Sequence, residues 1–327
     1  MGRILVTGAA GFIGYHLIKL LAKEDCEIIA CDNLSRGQMD KEMEQICQSK
    51  NVKFINCDLT DGKESQKLAG NYSHIYHLAA INGTKYFYEK PNEVLRVNIL
   101  SLVNLLEWVK NSTVDKLLFT SSSEVYAGTA RAFTLPVPTP EDVPLTIDDV
   151  FNPRLSYAGS KLIGELFMIN YSRVFDFPMT IIRYHNVYGP RMGYEHVIPE
   201  FNVRILKRQN PFKLYGSTDT RAFCYVDDAV MATKMVMQTS TTNGGIIHVG
   251  NPFEEIQILD LAKKMLDLFN FHPPIEILPA PQGSVSRRCP DISKLNRLTL
   301  FKPQIALNTG LVKTFEWYKH RLSTLED

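Results

Sequence analysis

The sequence predicts an α/β fold built on a doubly wound parallel sheet, with a smaller α+β lobe toward the C-terminus. Three observations carry this expectation. Apolar, strand-like runs alternate with helical patterns through the first half of the chain. The first such run, Ile4-Leu5-Val6, leads directly into Gly8, Gly11 and Gly14. At 327 residues the chain is also too long for one compact unit and suits a large domain with a smaller second one. Alternation of strand and helix implies right-handed βαβ crossovers, and hence a parallel sheet.

The strands are expected at 4–6, 27–31, 52–56, 74–77, 116–120, 179–183 and 246–249. Helical patterns lie near 12–23, 38–49, 62–69, 91–110, 156–175 and 228–238. Phe12, Ile13, Leu17, Ile18 and Leu21 repeat at helical spacing straight after the glycines, so strand, tight turn and helix follow one another without a gap. That is a Rossmann-type start. One glycine permits torsions that a side chain forbids, one lets a diphosphate approach the amides, and one lets the helix lie close on the strand. Phosphates would sit at the helix N-terminus, where free N–H groups and the dipole favour negative charge. No Gly-Lys-Ser/Thr follows, which excludes a P-loop. The competing reading is a purely structural βα turn.

Asp32 closes the second strand, roughly 20 residues past the glycines, where a carboxylate can hold the adenosine ribose hydroxyls. It would repel a 2′-phosphate, so the expected cofactor is NAD rather than NADP; a solvated strand-end Asp is the alternative. Asn33 neighbours it. Asp58, with Leu59, follows the third strand and is placed to reach the adenine edge, although an ordinary loop Asp fits as well. Leu78, Ala79 and Ala80 close the fourth strand with room for a cofactor. His77 reads as a structural histidine.

Composition removes several function classes. Lys plus Arg is 36 and Asp plus Glu is 35, so no charge imbalance points to nucleic acid or an acidic membrane. The six cysteines form no C-x-x-C pair and read as reduced core residues of a cytoplasmic protein. No apolar run is long enough to span a bilayer, Met1 stands directly before a strand without a signal peptide, and no His/Cys/Asp cluster has metal-ligand spacing.

After the fifth strand comes Ser121-Ser122-Ser123-Glu124-Val125-Tyr126. A proline-rich segment, expected to be ordered but irregular, then leads to Ser156-Tyr157-Ala158-Gly159-Ser160-Lys161 at a helix start. In open α/β sheets the ligand crevice lies beyond the carboxyl ends of the strands, where this Ser cluster falls. Tyr-x-x-x-Lys places both side chains on one helix face. The pattern occurs three times, at Tyr15/Lys19, Tyr86/Lys90 and Tyr157/Lys161. Only the last follows the strand-end serines by one loop and opens a helix at the crevice, which makes it the catalytic candidate. A tyrosine of pKa about 10 is a poor base at neutral pH, but a neighbouring ammonium and a nicotinamide cation favour its phenolate. Tyr157 would take a proton from a sugar hydroxyl as hydride leaves the same carbon. Lys161 would also hold the nicotinamide ribose, and a Ser hydroxyl would share the reacting oxygen.

These residues resemble the extended short-chain dehydrogenase/reductase family, in particular its nucleotide-sugar epimerases, dehydratases and decarboxylases, along nearly the whole chain. Arg183-Tyr184-His185-Asn186-Val187-Tyr188-Gly189-Pro190-Arg191 is similar to the family's Arg-x-Phe-Asn-Val-Tyr-Gly-Pro-Arg. Thr220-Arg221-Ala222-Phe223-Cys224-Tyr225-Val226-Asp227-Asp228 and Arg287-Arg288-Cys289-Pro290-Asp291 resemble two later family stretches. The resemblance implies NAD as cofactor and a nucleotide-diphosphate sugar as substrate. It implies Ser122, Tyr157, Lys161 and Glu124 at the reacting centre, with Ser123, Asn186, Arg191, Arg221 and Arg288 on the substrate. His185 stands where the family has an aromatic and reads as a packing residue. Residues 1–183, rejoined by 224–250, would bind NAD, while 184–223 and 251–327 would form the substrate lobe. The resemblance also implies a homodimer, in which the helices at 91–110 and 156–175 of two copies pair.

Family members open by oxidising sugar C4. A 4-epimerase needs only room for the keto-sugar to turn, and Val197-Ile198-Pro199 is closer to that group, so it comes first. A decarboxylase of UDP-glucuronate type, whose Ser/Thr-Ser-Glu-Val-Tyr this chain matches, comes next. A 4,6-dehydratase is third, because Ser123 replaces that group's usual Asp. A non-catalytic NAD-binding regulator is the reading from a different class.

Overall fold

The computed structural model describes residues 2–280 and 285–326, with side chains to residue 323. Seven parallel strands form the central sheet: β1 (Gly2–Thr7), β2 (Cys26–Asp32), β3 (Val52–Asn56), β4 (Tyr72–His77), β5 (Val114–Ser122), β6 (Met179–Tyr184) and β7 (Ile246–Val249). Their spatial order is β7-β6-β5-β4-β1-β2-β3. The direction of winding reverses at β1, which lies between β2 and β4, and a crevice opens there beyond Thr7.

Strands buried on both faces read as continuous apolar runs, and successive side chains feed opposite cores. Ile4, Val6, Ile28 and Ala30 enter one apolar cluster, while Leu5, Ile29, Cys31 and Ile75 enter the other. Five helices matter for the site: α1 (Phe12–Leu21), α2 (Pro91–Val109), α3 (Leu155–Phe175), α4 (Val226–Gln238) and α5 (Leu307–Glu326). Pro91 opens α2 at a position where its missing N–H costs nothing. Gly164 lets α3 lie tightly on β5, since a Cβ there would come 2.5 Å from the Phe119 ring.

Two expected helices are shorter than their patterns. The 38–49 pattern narrows to Lys41–Cys47 because the Asp40 carboxylate caps it, accepting from Met43 N at 3.1 Å. The 62–69 pattern splits into a helix at Gly62–Ser65 and a 3-10 turn at Gln66–Leu68. An unexpected feature follows β5. Ser122 accepts from Glu124 N at 3.2 Å and starts a 3-10 turn, Ser123–Tyr126, that runs into the short helix Ala127–Ala132.

Beyond β6 the chain builds three small sheets. Val187–Tyr188 pairs with Cys224–Tyr225, and Phe212–Tyr215 with Ile275–Leu278. Thr220–Ala222 runs between Glu255–Gln257 and Arg287–Arg288. Helix α4 packs on α1, and β7 hydrogen-bonds to β6. Among the described residues no helix is long and apolar enough to cross a membrane.

Candidate active site

A cleft of about 600 Å³ lies over the carboxyl ends of the strands. Its first half is the glycine turn. Gly8 has φ +69°, a left-handed conformation, and a Cβ on it would meet Ala79 N at 2.8 Å. A Cβ on Gly14 would lie 2.0 Å from the Gly8 carbonyl oxygen, so helix and turn close only with glycine there. Phe12 and Ile13 open α1 at the cleft wall. Asp32, 8 % exposed, accepts from Ala10 N at 3.0 Å and Leu34 N at 2.8 Å. A carboxylate has about four acceptor sites, so two amides leave it capacity for further donors from the cleft. Burial raises its pKa, against the pull of the Leu34 and Ala10 amides. Asn33, Asp58, Leu59, Leu78, Ala79 and Ala80 complete this half. Asp58 accepts from Thr60 N at 2.8 Å, fixing the loop after β3.

In the second half, the end of β5 and the start of α3 converge. Ser122 and Tyr157 both line this part of the cleft, and the Tyr157 ring stacks on Phe87 with centroids 4.9 Å apart. Burial raises the Tyr157 phenol well above its ordinary pKa; the Ser122 side chain opposes this, Glu124 adds to it, and Arg36 opposes it. Lys161 is 3 % exposed and donates to the Thr120 carbonyl at 2.8 Å, with Nζ 5.8 Å from the Tyr157 ring centre. Burial lowers its pKa to about 7, against the attraction of Glu165. The sequence led us to expect the Lys161 ammonium to favour the phenolate. In the structure the amine donates to the β5 backbone, with the Tyr157 ring still within 5.8 Å of it.

Glu124 forms the charged floor. Arg288 grips it at two points, Nη1–Oε1 at 2.7 Å and Nη2–Oε2 at 2.9 Å, and Arg154 adds Nη2–Oε1 at 3.3 Å. Burial alone would raise the carboxyl. The charges of Arg288 and Arg154 outweigh it and hold Glu124 at about 2. Below the floor, Glu165 takes Arg183 at 2.8 and 2.6 Å and Ser121 at 2.5 Å, tying the ends of β5 and β6 to α3.

All but one of the residues expected to bind cofactor or substrate or to act in catalysis line this cleft. The exception is Arg221, whose guanidinium donates to the Thr220 and Ser286 carbonyls and to Asp219. Ser123 and Asn186 line it, the latter with φ +41° and its amide donating to the Ala222 carbonyl at 3.2 Å. Arg191, expected on the substrate, lines it on the dinucleotide side, where it is held by Asp40 at 2.8 and 2.7 Å and Glu42 at 3.1 Å. Arg288 likewise spends its fork on Glu124. His185 is buried between His248, 4.5 Å away, and Tyr126, in line with a packing residue.

Sequence reasoning missed Arg154, whose partner is 30 residues away, and Asn98. Asn98 accepts from Ile81 N at 2.7 Å and donates to Ser160 at 3.0 Å, fixing the loop after β4 against α3. A polar residue on the apolar face of the 91–110 pattern was its only sequence signal. Among the described residues no group of three or more His, Cys, Asp or Glu could hold a metal ion.

Residues 4–250 match the NAD dependent epimerase/dehydratase family. The chain belongs to that family. It is 33% identical to the UDP-N-acetyl-alpha-D-glucosaminuronate decarboxylase of Bacillus cytotoxicus, over 97% of this chain and 98% of the relative. It is 29% identical to the UDP-glucuronate 4-epimerase of Thermodesulfobacterium geofontis, over 100% and 99%. Among solved structures, the UDP-glucuronic acid 4-epimerase of Bacillus cereus, in complex with UDP-glucuronic acid and NAD, superposes with a TM-score of 0.86. That match has 27% identity and covers 98% of this chain and 99% of the other. NAD is the family's cofactor, and the turn fits it: the glycine cradle leaves no room for a Cβ, and Asp32 keeps acceptor capacity toward the cleft.

Proposed function

We propose that this family member oxidises C4 of a nucleotide-diphosphate sugar bearing a C6 carboxylate, and that the resulting 4-keto acid loses carbon dioxide. The observation that carries this reading is the Glu124 carboxylate clamped by Arg288 and Arg154 beside Ser122 and Tyr157. Burying an ion cluster is expensive, and a 4-epimerase acting on a neutral sugar has no use for one. Two guanidiniums against one carboxylate leave one positive charge on the floor, which matches an anionic sugar. The names of the two relatives above both carry a glucuronate-type sugar, which supports the same substrate class.

Tyr157 takes the C4 hydroxyl proton while Ser122 hydrogen-bonds the same oxygen, fixing the sugar for oxidation. NAD, when bound, supplies the hydride acceptor at C4. The C6 carboxylate is then β to the C4 carbonyl, so the C5–C6 electron pair moves toward that carbonyl as carbon dioxide leaves. The Tyr157 and Ser122 hydroxyls hold the developing enolate oxygen, C5 takes up a proton, and C4 then takes back its hydride while Tyr157 returns the proton to the oxygen. Glu124, ionised throughout, keeps Arg288 in place.

A second reading, 4-epimerisation of the same acid, is favoured by Val197-Ile198-Pro199 and by the epimerase relatives. We assign residues 1–183 with 224–250 to cofactor binding and 184–223 with 251–327 to the substrate lobe, supported by the β7–β6 pairing. A homodimer through α2 and α3 is supported by exposed Leu95, Leu100, Ile163 and Leu166 on those helices. Six free cysteines support a reducing, cytoplasmic setting.

The test is incubation with neutral and acidic UDP-, GDP-, CDP- and dTDP-sugars, with products read by mass. Carbon dioxide loss from a uronate supports the proposal. Unchanged mass with inverted C4 gives the 4-epimerase, water loss a dehydratase, and no turnover of any sugar the non-catalytic regulator.

A further inference from the structure

The cofactor half of the cleft is crossed by a clasp between parts of the chain far apart in sequence. The segment after Asp32 runs back over the glycine turn: Gln38 N donates to the Ala10 carbonyl at 3.2 Å, and a Cβ on Gly37 would meet the Asp32 carboxylate at 2.8 Å. This segment then meets three groups from the second half of the chain. Arg191, its side chain 5 % exposed, binds both Asp40 oxygens, Glu42 and the Gln38 carbonyl. The Trp317 indole donates to Glu42 at 3.1 Å. Arg321 donates to the Gln38 side chain at 2.6 Å and lies 3.6 Å from Asp40. Gln38, Asp40, Arg191, Trp317 and Arg321 all line the cleft.

We propose that Asp40, Glu42, Arg191 and Trp317 are positioning residues that hold the segment after β2 closed against the dinucleotide, so that NAD leaves only when the Arg191–Asp40 pair opens. The anchoring of this pair favours a slow gate. Its partners come from elements 151 residues apart, it is nearly enclosed, and the Arg191 guanidinium also sits 4.1 Å over the Tyr15 ring of α1. Truncating one partner of a buried, hydrogen-bonded charge pair acts on dissociation rather than on encounter. The chemistry is compatible with such a gate, because a reaction that returns hydride to its own intermediate regenerates the cofactor without releasing it.

The experiment is exchange of bound NAD for isotope-labelled NAD, followed by mass, on the parent, Asp40→Asn and Trp317→Phe, with folding checked by circular dichroism and melting. Asn retains the capping ability of Asp40 and its shape but removes the charge. Asp40→Asn is expected to speed exchange on the order of tenfold, and Trp317→Phe by a smaller factor in the same direction. Exchange within about twofold of the parent in a folded Asp40→Asn protein overturns the proposal. If Asp40→Asn fails to fold, unchanged exchange in Trp317→Phe overturns it instead. No sugar is turned over in this assay, so its outcome is independent of the carbon dioxide test above.

Discussion

Arg288 and Glu124 meet as a two-point pair, at 2.7 and 2.9 Å, although 164 residues separate them. The late strand Arg287–Arg288 thus closes onto the turn that begins at Ser122, and the reacting end of the cleft exists only when both halves of the chain are folded together. Removing one partner of such a pair strands the other charge. Glu124→Gln is therefore expected to cost about 3–5 kcal/mol of stability at neutral pH, read by denaturant unfolding. Carbon dioxide release should fall by about 10²-fold or more, because Arg288 loses the carboxylate that positions it for the sugar acid. Turnover near the parent rate would place Glu124 outside the reaction.

The same carboxyl makes an acid-stability prediction. Glu124 is held at about 2 against an ordinary value of 4.5. A depressed folded-state pKa contributes stability that is present above the unfolded value and is lost as pH falls from about 4.5 toward 2. The melting temperature of the parent should fall more steeply through that window than that of Glu124→Gln, so the two curves converge in acid. Parallel curves would contradict the assignment.

Tyr157→Phe keeps the ring that stacks on Phe87 and removes only the hydroxyl. Reduction of bound NAD by the sugar should slow by about 10²–10⁴-fold, while NAD content after gel filtration stays at the parent level. Loss of NAD together with activity would mean that Tyr157 positions the cofactor rather than moving a proton.

Gly14→Ala tests the cradle. The added Cβ would lie 2.0 Å from the Gly8 carbonyl oxygen, against backbone that has no rotamer to retreat to. We expect a loss of at least about 1–3 kcal/mol and no NAD retained on purification. Normal NAD content would show that turn and helix can separate without opening the site.

The Glu165–Arg183 pair offers a contrast away from the sugar. Both side chains are almost fully buried, at 2.6 Å. Glu165→Gln should cost about 3–5 kcal/mol in urea unfolding while Tyr157 and Ser122 stay intact, so reduced turnover should recover when the variant is assayed well below its melting temperature.

Much of the sheet was legible because its strands are buried on both faces. Continuous runs such as Ile28–Cys31 have no polar alternation to blur them, and the glycines announced the first crossover. The turn and helix from Ser123 to Ala132 escaped notice because Ala-Gly-Thr-Ala-Arg-Ala carries no apolar period. The turn starts from one capping hydroxyl, which looked like a catalytic serine alone. The ion pairs were harder still. Arg154 carried no signal in the sequence, and Arg191 and Arg288 stood out only as expected substrate ligands; their partners lie 30, 151 and 164 residues away, so only the folded backbone reveals which carboxylates they meet.

The β7 strand has a practical side. It reaches the sheet after the chain has left β6 and laid down the first strands of the small sheets, and it pairs with the outer edge of β6, a strand buried over most of its length. Cutting the gene after the sixth strand would therefore not yield a self-standing nucleotide-binding module. It would leave a sticky, two-sided ribbon whose open rim recruits other chains, and expression of such a fragment should end in inclusion bodies, whereas the full-length polypeptide buries that rim itself.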